Sequence, residues 1–449
     1  MRSDKYSVSN PGRIAVQMPD PPHVVIIGGG FGGLAAAQAL KHAPVRITLL
    51  DRRNHHLFQP LLYQVATAGL SPGDIAAPIR WILRRQQNVR VLLAEARSID
   101  PVSRTVSLEE GSLTYDYLIV ATGATHAYFG HPEWEALAPG LKSLDDALEI
   151  RRRMLLAYEV AERKADPDAS RRLLTFVVIG GGPTGVEMAG AIAEIASHTL
   201  THEYRSISTA QSRVVLIEAG PTILASFPED LRDAARRSLA RLNVEVWEST
   251  RVTSIDAGGV GMGDRRLDAG TIIWAAGVAA SPLGRTLGAP LDRVGRVMVE
   301  PTLHVPGHPE LYVIGDLAAL NDRDGNPLPG VAPVAQQQAK HAARNIVRLI
   351  EGQAPRPFEY HDPGALATIG RAAAIARIGR LHLSGVIGWV VWLFVHIMKL
   401  VGFRNRVMVL IQWAGAYVSY QRSVRLITGR DAARAISSPV DLERSASPR

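Results

Sequence analysis

The sequence predicts an α/β chain built on two strand–turn–helix units of one design, followed by a basic, apolar tail. Three observations carry this prediction. The apolar run "HVVIIG" leads into Gly28-x-Gly30-x-x-Gly33. A second run, "LLTFVVIG", leads into Gly180-x-Gly182-x-x-Gly185. From residue 371 onward the chain turns strongly basic around two apolar stretches.

Each unit reads as a Rossmann-like cradle for a dinucleotide. The first glycine allows the tight turn, the second lets the backbone approach a pyrophosphate, and the third lets helix pack on strand. The helix N-terminus then offers free N–H groups to the phosphates. After the first cradle the strand "RITLLD" ends at Asp51, 23 positions beyond Gly28, close to the spacing of an acid that holds a ribose hydroxyl. Arg52 follows it and joins the expected cofactor contacts. After the second cradle the next strand with a terminal acid is "RVVLIE", ending at Glu218, 38 positions beyond Gly180. The excess fits a long helix plus an insertion, "AIAEIASHTLTHEYRSISTAQS". Ala219 and Gly220, not arginine, follow Glu218, which favours NADH over NADPH. Two cradles in one chain imply a tightly held flavin dinucleotide and a nicotinamide dinucleotide that comes and goes, with a hydride passing between the rings.

The bulk numbers fit two or more globular domains: 449 residues, 47% hydrophobic and 20% charged. There is no cysteine, which excludes a disulfide framework, Cys-ligated zinc or iron–sulfur centres, and dithiol redox chemistry. The net charge of +8 and an isoelectric point near 9.8 point to an anionic partner. Residues 1–22 are polar and proline-containing without the apolar core of a signal peptide, so a mobile tail and a chain kept in the cytoplasm are expected. No metal site is expected. Glu194, His198 and His202 sit four apart, but no H-E-x-x-H accompanies them, and an exposed polar helix face is the simpler reading. His55 and His56 adjoin the Asp51 strand end, where flavin contact and plain solvent exposure are both open.

Further stretches carry a family resemblance. "YDYLIVATGA" (Tyr115–Ala124) and "LYVIGDLAAL" (Leu311–Leu320) resemble the later flavin-domain motifs of the flavoprotein reductases with two dinucleotide-binding domains, and "IIWAAGV" (Ile272–Val278) is similar to the closing strand of their NAD domain. The resemblance implies cofactor contacts at Ala121, Thr122, Gly123, Gly315, Asp316, Ala276 and Gly277, with Asp316 on the flavin ribityl chain. Disulfide reductases, cysteine-based peroxidases and sulfide–quinone reductases of that family work through thiols, which this chain lacks. "FQPLLYQVATAGL" (Phe58–Leu70) and "GGPTGVEMAGAIAE" (Gly181–Glu194) resemble the type II NADH:quinone oxidoreductases. That resemblance implies a role for Glu187 near nicotinamide and flavin. "GVAPVAQQQAKHAARNI" (Gly330–Ile346) stands where that family carries its quinone-side glutamines. Gln337 is kept, whereas Pro333 replaces the first glutamine of the pattern and Ala339 its glycine. Gln337 is expected on the acceptor side of the flavin ring.

From Arg371 to Arg449 there are twelve Lys or Arg against three acids, a surplus of nine. Leu383–Met398 and Val407–Tyr420 are apolar, and the second carries Trp413, Tyr417 and Tyr420. Both fall short of the ~20 residues that span a bilayer. Apolar faces flanked by aromatics and cations suit a helix lying in the interface on anionic lipid; the competing uses are a core hairpin or a homodimer interface. A nucleic-acid partner is not expected, because the basic segment is apolar in its middle and no binding motif appears.

The expected domains are an N-terminal tail (1–22), an FAD domain (23–145, returning at 290–370), an inserted NAD domain (146–289) and an amphipathic membrane-binding region (371–449). The expected activity is non-pumping transfer of electrons from NADH through FAD to a membrane quinone, on the cytoplasmic face of the inner membrane, with the protein held peripherally. The alternative is a soluble NAD(P)H-dependent reductase of a ferredoxin-like or rubredoxin-like carrier.

Overall fold

The structure is a computed structural model that describes residues 20–164, 166–400, 403–419 and 424–428. Nearly all of the expected N-terminal tail, and Tyr420, Arg422 and the charged residues from Arg430 on, lie outside the described residues.

The chain opens with β1 (His23–Ile27), α1 (Phe31–Ala39), β2 (Arg46–Asp51), β3 (Val89–Leu93) and β4 (Tyr117–Val120). All five residues of β1 are buried, as a central strand of a parallel sheet covered on both faces requires. Its side chains alternate between two cores. Val24 and Ile26 face α1, while Val25 and Ile27 pack with Leu118 and Val120 on the other face. α2 (Leu144–Arg163) follows, its N-terminus fixed by a capping box between Ser143 and Asp146.

The same design then recurs. β5 (Thr175–Ile179) is again wholly buried and leads to α3 (Pro183–Glu194), with Pro183 at the first helical position, where its missing N–H costs nothing. β6 (Arg213–Ile217), α4 (Glu229–Arg241), β7 (Val244–Trp247) and β8 (Thr271–Trp274) complete a four-stranded parallel sheet in the order β7–β6–β5–β8. The chain returns as β9 (His304–Val305) and β10 (His308–Val313), extending the first sheet to β9–β10–β4–β1–β2–β3. α5 (Ala332–Ile350) then packs beside α1.

The insertion after α3 departs from a simple continued helix. A π-turn at Ile195–Thr199 ends it, and the following loop is tied down by Glu162 of α2, whose carboxylate accepts from the N–H groups of Arg205, Ser206 and Ile207.

The boundary expected at residue 370 falls inside a folded unit. β11 (Ala365–Thr368), β12 (Ala374–Ile378) and β13 (Leu381–Ser384) form an antiparallel sheet that carries α6 (Gly385–Lys399) and α7 (Phe403–Ser419). Charge and long apolar runs do not reveal three short strands, so the sequence shows only the helices that follow them. α6 sits so close to the sheet that a Cβ on Gly388 would lie 2.5 Å from the Ala374 carbonyl oxygen. Trp392 and Val409 anchor the helix pair in the core.

Gly388→Ala must lift α6 off β12, because the obstacle is backbone. It is expected to destabilise the C-terminal unit by about 1–3 kcal/mol. Limited proteolysis should then cut between α6 and α7 faster, while flavin content is retained.

Candidate functional site: two matched dinucleotide cradles

The two glycine turns share the same constraints. Gly28 (φ +103°) and Gly180 (φ +111°) lie in the left-handed region, where only glycine is at ease. A Cβ there would strike Ala121 O at 2.4 Å or Ala275 O at 2.6 Å. A Cβ on Gly33 would come within 1.7 Å of Gly28 O, and one on Gly185 within 1.8 Å of Gly180 O. The turns are pinned alike: Gly28 N–H donates to Leu50 O and Gly180 N–H to Ile217 O, both at 2.7 Å. Beyond them Ala121 N–H donates to Ile27 O (2.8 Å) and Ala275 N–H to Ile179 O (2.7 Å).

The middle glycines differ from the others. Around Gly30 and Gly182 no protein atom lies within 4 Å of where a Cβ would stand. That open space at a helix N-terminus, at the carboxyl ends of the strands where the strand order reverses, is where a pyrophosphate passes in such folds. Thr122 Oγ1, just beyond β4, is buried without a hydrogen-bond partner among the described residues. A buried hydroxyl left unpaired is costly, so it fits a group that arrives with a ligand. The residues present therefore fit dinucleotides in both cradles.

The strand-end acids are also equivalent. Asp51 accepts from Gly29 N–H (2.6 Å) and Arg53 N–H (2.7 Å); Glu218 accepts from Gly181 N–H and Gly220 N–H, both at 2.6 Å. Glu218 thus occupies the same corner as Asp51 despite its longer spacing. Arg52 points elsewhere, exposed and 3.8 Å from Glu95. Ala276 and Gly277 follow β8, with Gly277 (φ +99°) resting against the Phe129 ring. Gly123 (φ +67°) and Gly315 (φ +71°) turn the chain after β4 and β10.

On the side toward the C-terminal unit, Glu187 lies one turn into α3. Protein crowds its carboxyl, and desolvation pushes its pKa up to about 8; the one opposing influence is the N–H of Thr368 on β11, at 3.4 Å. No sequence signal places Thr368 there. Asp316 packs under Gly330 and faces Lys142, whose pKa burial lowers while Asp316 and Asp146 raise it.

Gln337 is turned outward. Its amide donates to His361 O (2.8 Å) and accepts from His361 N–H (3.0 Å). Its neighbour Gln338 is the buried one, accepting from Gly315 N–H at 2.7 Å. The run of three glutamines hid this, since a motif fixes position along a helix but not which face is buried.

His56 is buried, donates from Nδ1 to Gly29 O (3.0 Å), and meets Phe31 edge-on. His55 Nε2 is buried without a hydrogen-bond partner among the described residues. Glu194 accepts from Arg371 N–H, and the π-turn breaks its spacing to His198 and His202.

Two cradles of one geometry in one chain define a protein that holds two dinucleotides. Residues 22–339 match the pyridine nucleotide-disulphide oxidoreductase family, and residues 363–422 match the NDH2 C-terminal domain. The chain is 45% identical over 432 residues to the type II NADH:quinone oxidoreductase Ndh of Mycobacterium tuberculosis, covering 93% of this chain and 92% of that one. It is 46% identical over 425 residues to NdhA of the same organism, covering 91% and 89%. The fold is similar to that of NDH2 from Plasmodium falciparum in complex with NADH, with a TM-score of 0.84 at 20% identity, covering 91% of this chain and 100% of that one. The chain therefore belongs to the pyridine nucleotide-disulphide oxidoreductases and, within them, to the type II NADH:quinone oxidoreductases.

The open space at the middle glycines gives separable outcomes. Gly30→Val and Gly182→Val fill no occupied volume, so both proteins should fold. Gly30→Val should purify with little flavin. Gly182→Val should be yellow but bind NADH more weakly by about 1–3 kcal/mol, the cost of forcing a side chain into a filled site. Flavin absorbance per chain and an NADH titration of the bound flavin check both.

Proposed function

We infer that the chain oxidises NADH and delivers the electrons through FAD to a quinone, without pumping protons. The observation that carries this reading is the pair of matched cradles in a chain without cysteine: electrons have no thiol to pass through. The flavin, when bound, supplies the ring that takes up a hydride and gives electrons onward.

The chain's own residues bind and orient. The α1 N-terminus and Asp51 would hold one dinucleotide by its pyrophosphate and ribose, and the α3 N-terminus and Glu218 would hold the other. Glu187, one turn into α3, would orient the nicotinamide. Desolvation favours the protonated form of its carboxyl, which would donate a hydrogen bond to a bound dinucleotide rather than meet it with a charge. Gln338 holds the Gly315 turn and so steadies Asp316. Gln337, through its clamp on His361, positions the acceptor-side loop.

The C-terminal unit supports a membrane acceptor. Among the described residues no helix is long and apolar enough to cross a membrane. Yet α6 exposes Val386, Ile387, Val390, Phe394 and Met398, and α7 exposes Val407, Leu410 and Ile411. An apolar surface of this kind needs a partner. With Lys399 and Arg406 beside it, an anionic lipid surface on the cytoplasmic side of the inner membrane is the partner proposed. A soluble carrier protein would need no such face. A homodimer burying the face is the other outcome that the vesicle test below can return.

NADH oxidation assayed with a quinone analogue and with ferredoxin-like and rubredoxin-like carriers tests the acceptor. Turnover confined to the protein carriers would overturn the reading.

Two further outcomes are expected. Glu187→Ala should purify yellow but reduce its flavin about tenfold or more slowly, from lost orientation; a colourless protein would assign Glu187 to flavin binding instead. The same carboxyl is linked to stability. Ionising ordinarily near 4.5 but at about 8 when folded, it makes the folded chain hold one more proton than the unfolded across that window. Stability therefore falls as pH rises from about 4.5 to 8, and Glu187→Gln should remove that component in unfolding experiments at pH 5 and pH 8.

For the tail, Ile387 (66% exposed), Phe394 (63%) and Ile411 (59%) pack on little. Replacing them together by glutamate should release the protein from anionic vesicles while flavin content holds. Unchanged sedimentation, or a dimer falling to a monomer instead, would assign the face elsewhere.

A further inference from the structure

The corner around Glu218 holds more charge than the sequence motif records. The chain after β6 wraps back on the second cradle: Leu224 N–H donates to Gly181 O at 2.7 Å, and Ser249 N–H donates to Gly220 O at 2.8 Å. Within that wrap, Glu248 accepts from Ile223 N–H at 2.7 Å. Arg236 of α4 comes up from below. Its Nη2 donates to Thr222 Oγ1 at 2.6 Å and to Glu248 Oε1 at 2.9 Å, and its Nη1 donates to Asp233 Oδ1 at 2.6 Å. A guanidinium therefore reaches the loop next to the ribose-holding acid, where a cation would welcome a 2′-phosphate. Two carboxylates already occupy it, and Glu218 adds a third.

We propose that Arg236 is a latent 2′-phosphate ligand kept occupied by Glu248 and Asp233, so that the rejection of NADPH is set by this cluster together with Glu218. The proposal rests on the second cradle binding a nicotinamide dinucleotide. A 2′-phosphate placed at the Glu218 corner would face a net negative cluster and could recruit Arg236 only by breaking its pairing. Neutralising Glu248 changes both terms at once: it removes one repelling charge and loosens the guanidinium.

The test is the ratio of kcat/KM for NADPH to that for NADH, with flavin reduction as the readout. Glu248→Gln keeps an oxygen to accept from Ile223 N–H, so the loop is preserved. It should raise the ratio about tenfold, the effect of one partly screened charge on a phosphate of charge near −2. Glu218→Gln combined with Glu248→Gln should raise it further than either change alone. Adding Arg236→Ala to Glu248→Gln should remove most of the gain, because the cation that the phosphate would use is gone. Asp233 is half exposed and pairs with Arg236 three residues along α4, with no hydrogen bond to the loop like that of Glu248 to Ile223 among those described. Asp233→Asn therefore moves the ratio in the same direction by less, and it carries the test if Glu248→Gln does not fold. A ratio within about twofold of the native value in the variant that folds, or a gain that survives the loss of Arg236, overturns the proposal. Native enzyme that used both nicotinamides equally would overturn it too, leaving the proposed function intact. Native enzyme reduced by neither would fail the proposed function instead.

Discussion

The structure depends on one close approach, made twice. At each cradle a helix begins so near the strand before it that the third glycine has no room for a side chain: a Cβ would stand 1.7 Å from Gly28 O in one cradle and 1.8 Å from Gly180 O in the other. That approach aims the helix N–H groups at the carboxyl end of the sheet. It also sets the next strand so that its terminal acid, Asp51 or Glu218, meets the turn backbone at 2.6 Å.

The C-terminal unit is bound to the second corner rather than hung from the end of the chain. Thr368 N–H reaches Glu187, Arg371 N–H reaches Glu194, and His382 pairs with Asp230 on α4 at 2.9 Å. A Cβ on Gly190 of α3 would sit 3.0 Å from Gly370 N. Helix α3, which opens the second cradle, is thus packed against the sheet that carries α6 and α7. The aromatic series Phe31, Phe58, His396, Trp392 and Trp413, at centroid separations of 4.4–6.2 Å, continues that packing from the first cradle to α7. Burial lowers the His396 pKa to about 4, so this apolar connection carries no charge at neutral pH.

Legibility followed the range of the interaction that fixes each feature. The glycine turns are local: strand, turn and helix lie within about a dozen residues, so their sequence states their geometry. Glu218 was legible at its longer spacing because its strand keeps the apolar pattern, although the π-turn and the Glu162-tethered loop that use up the excess were not. The environment of Glu187 could not be read, because its hydrogen-bond donor lies 181 positions away. The strands β11–β13 are short and weakly patterned, so only the apolar helices beyond them stood out. A motif gives the place of Gln337 along α5, and the structure clamps its side chain to His361 while Gln338 faces inward.

Two cradles and no thiol require one flavin that is filled from the second cradle and emptied toward a quinone. An anaerobic double-mixing experiment tests it most directly. A single equivalent of NADH should bleach the flavin absorbance, and later mixing with vesicles containing quinone should restore it at a rate no slower than steady-state turnover. A flavin that bleaches with NADH but recovers from quinone far more slowly than turnover would contradict the account.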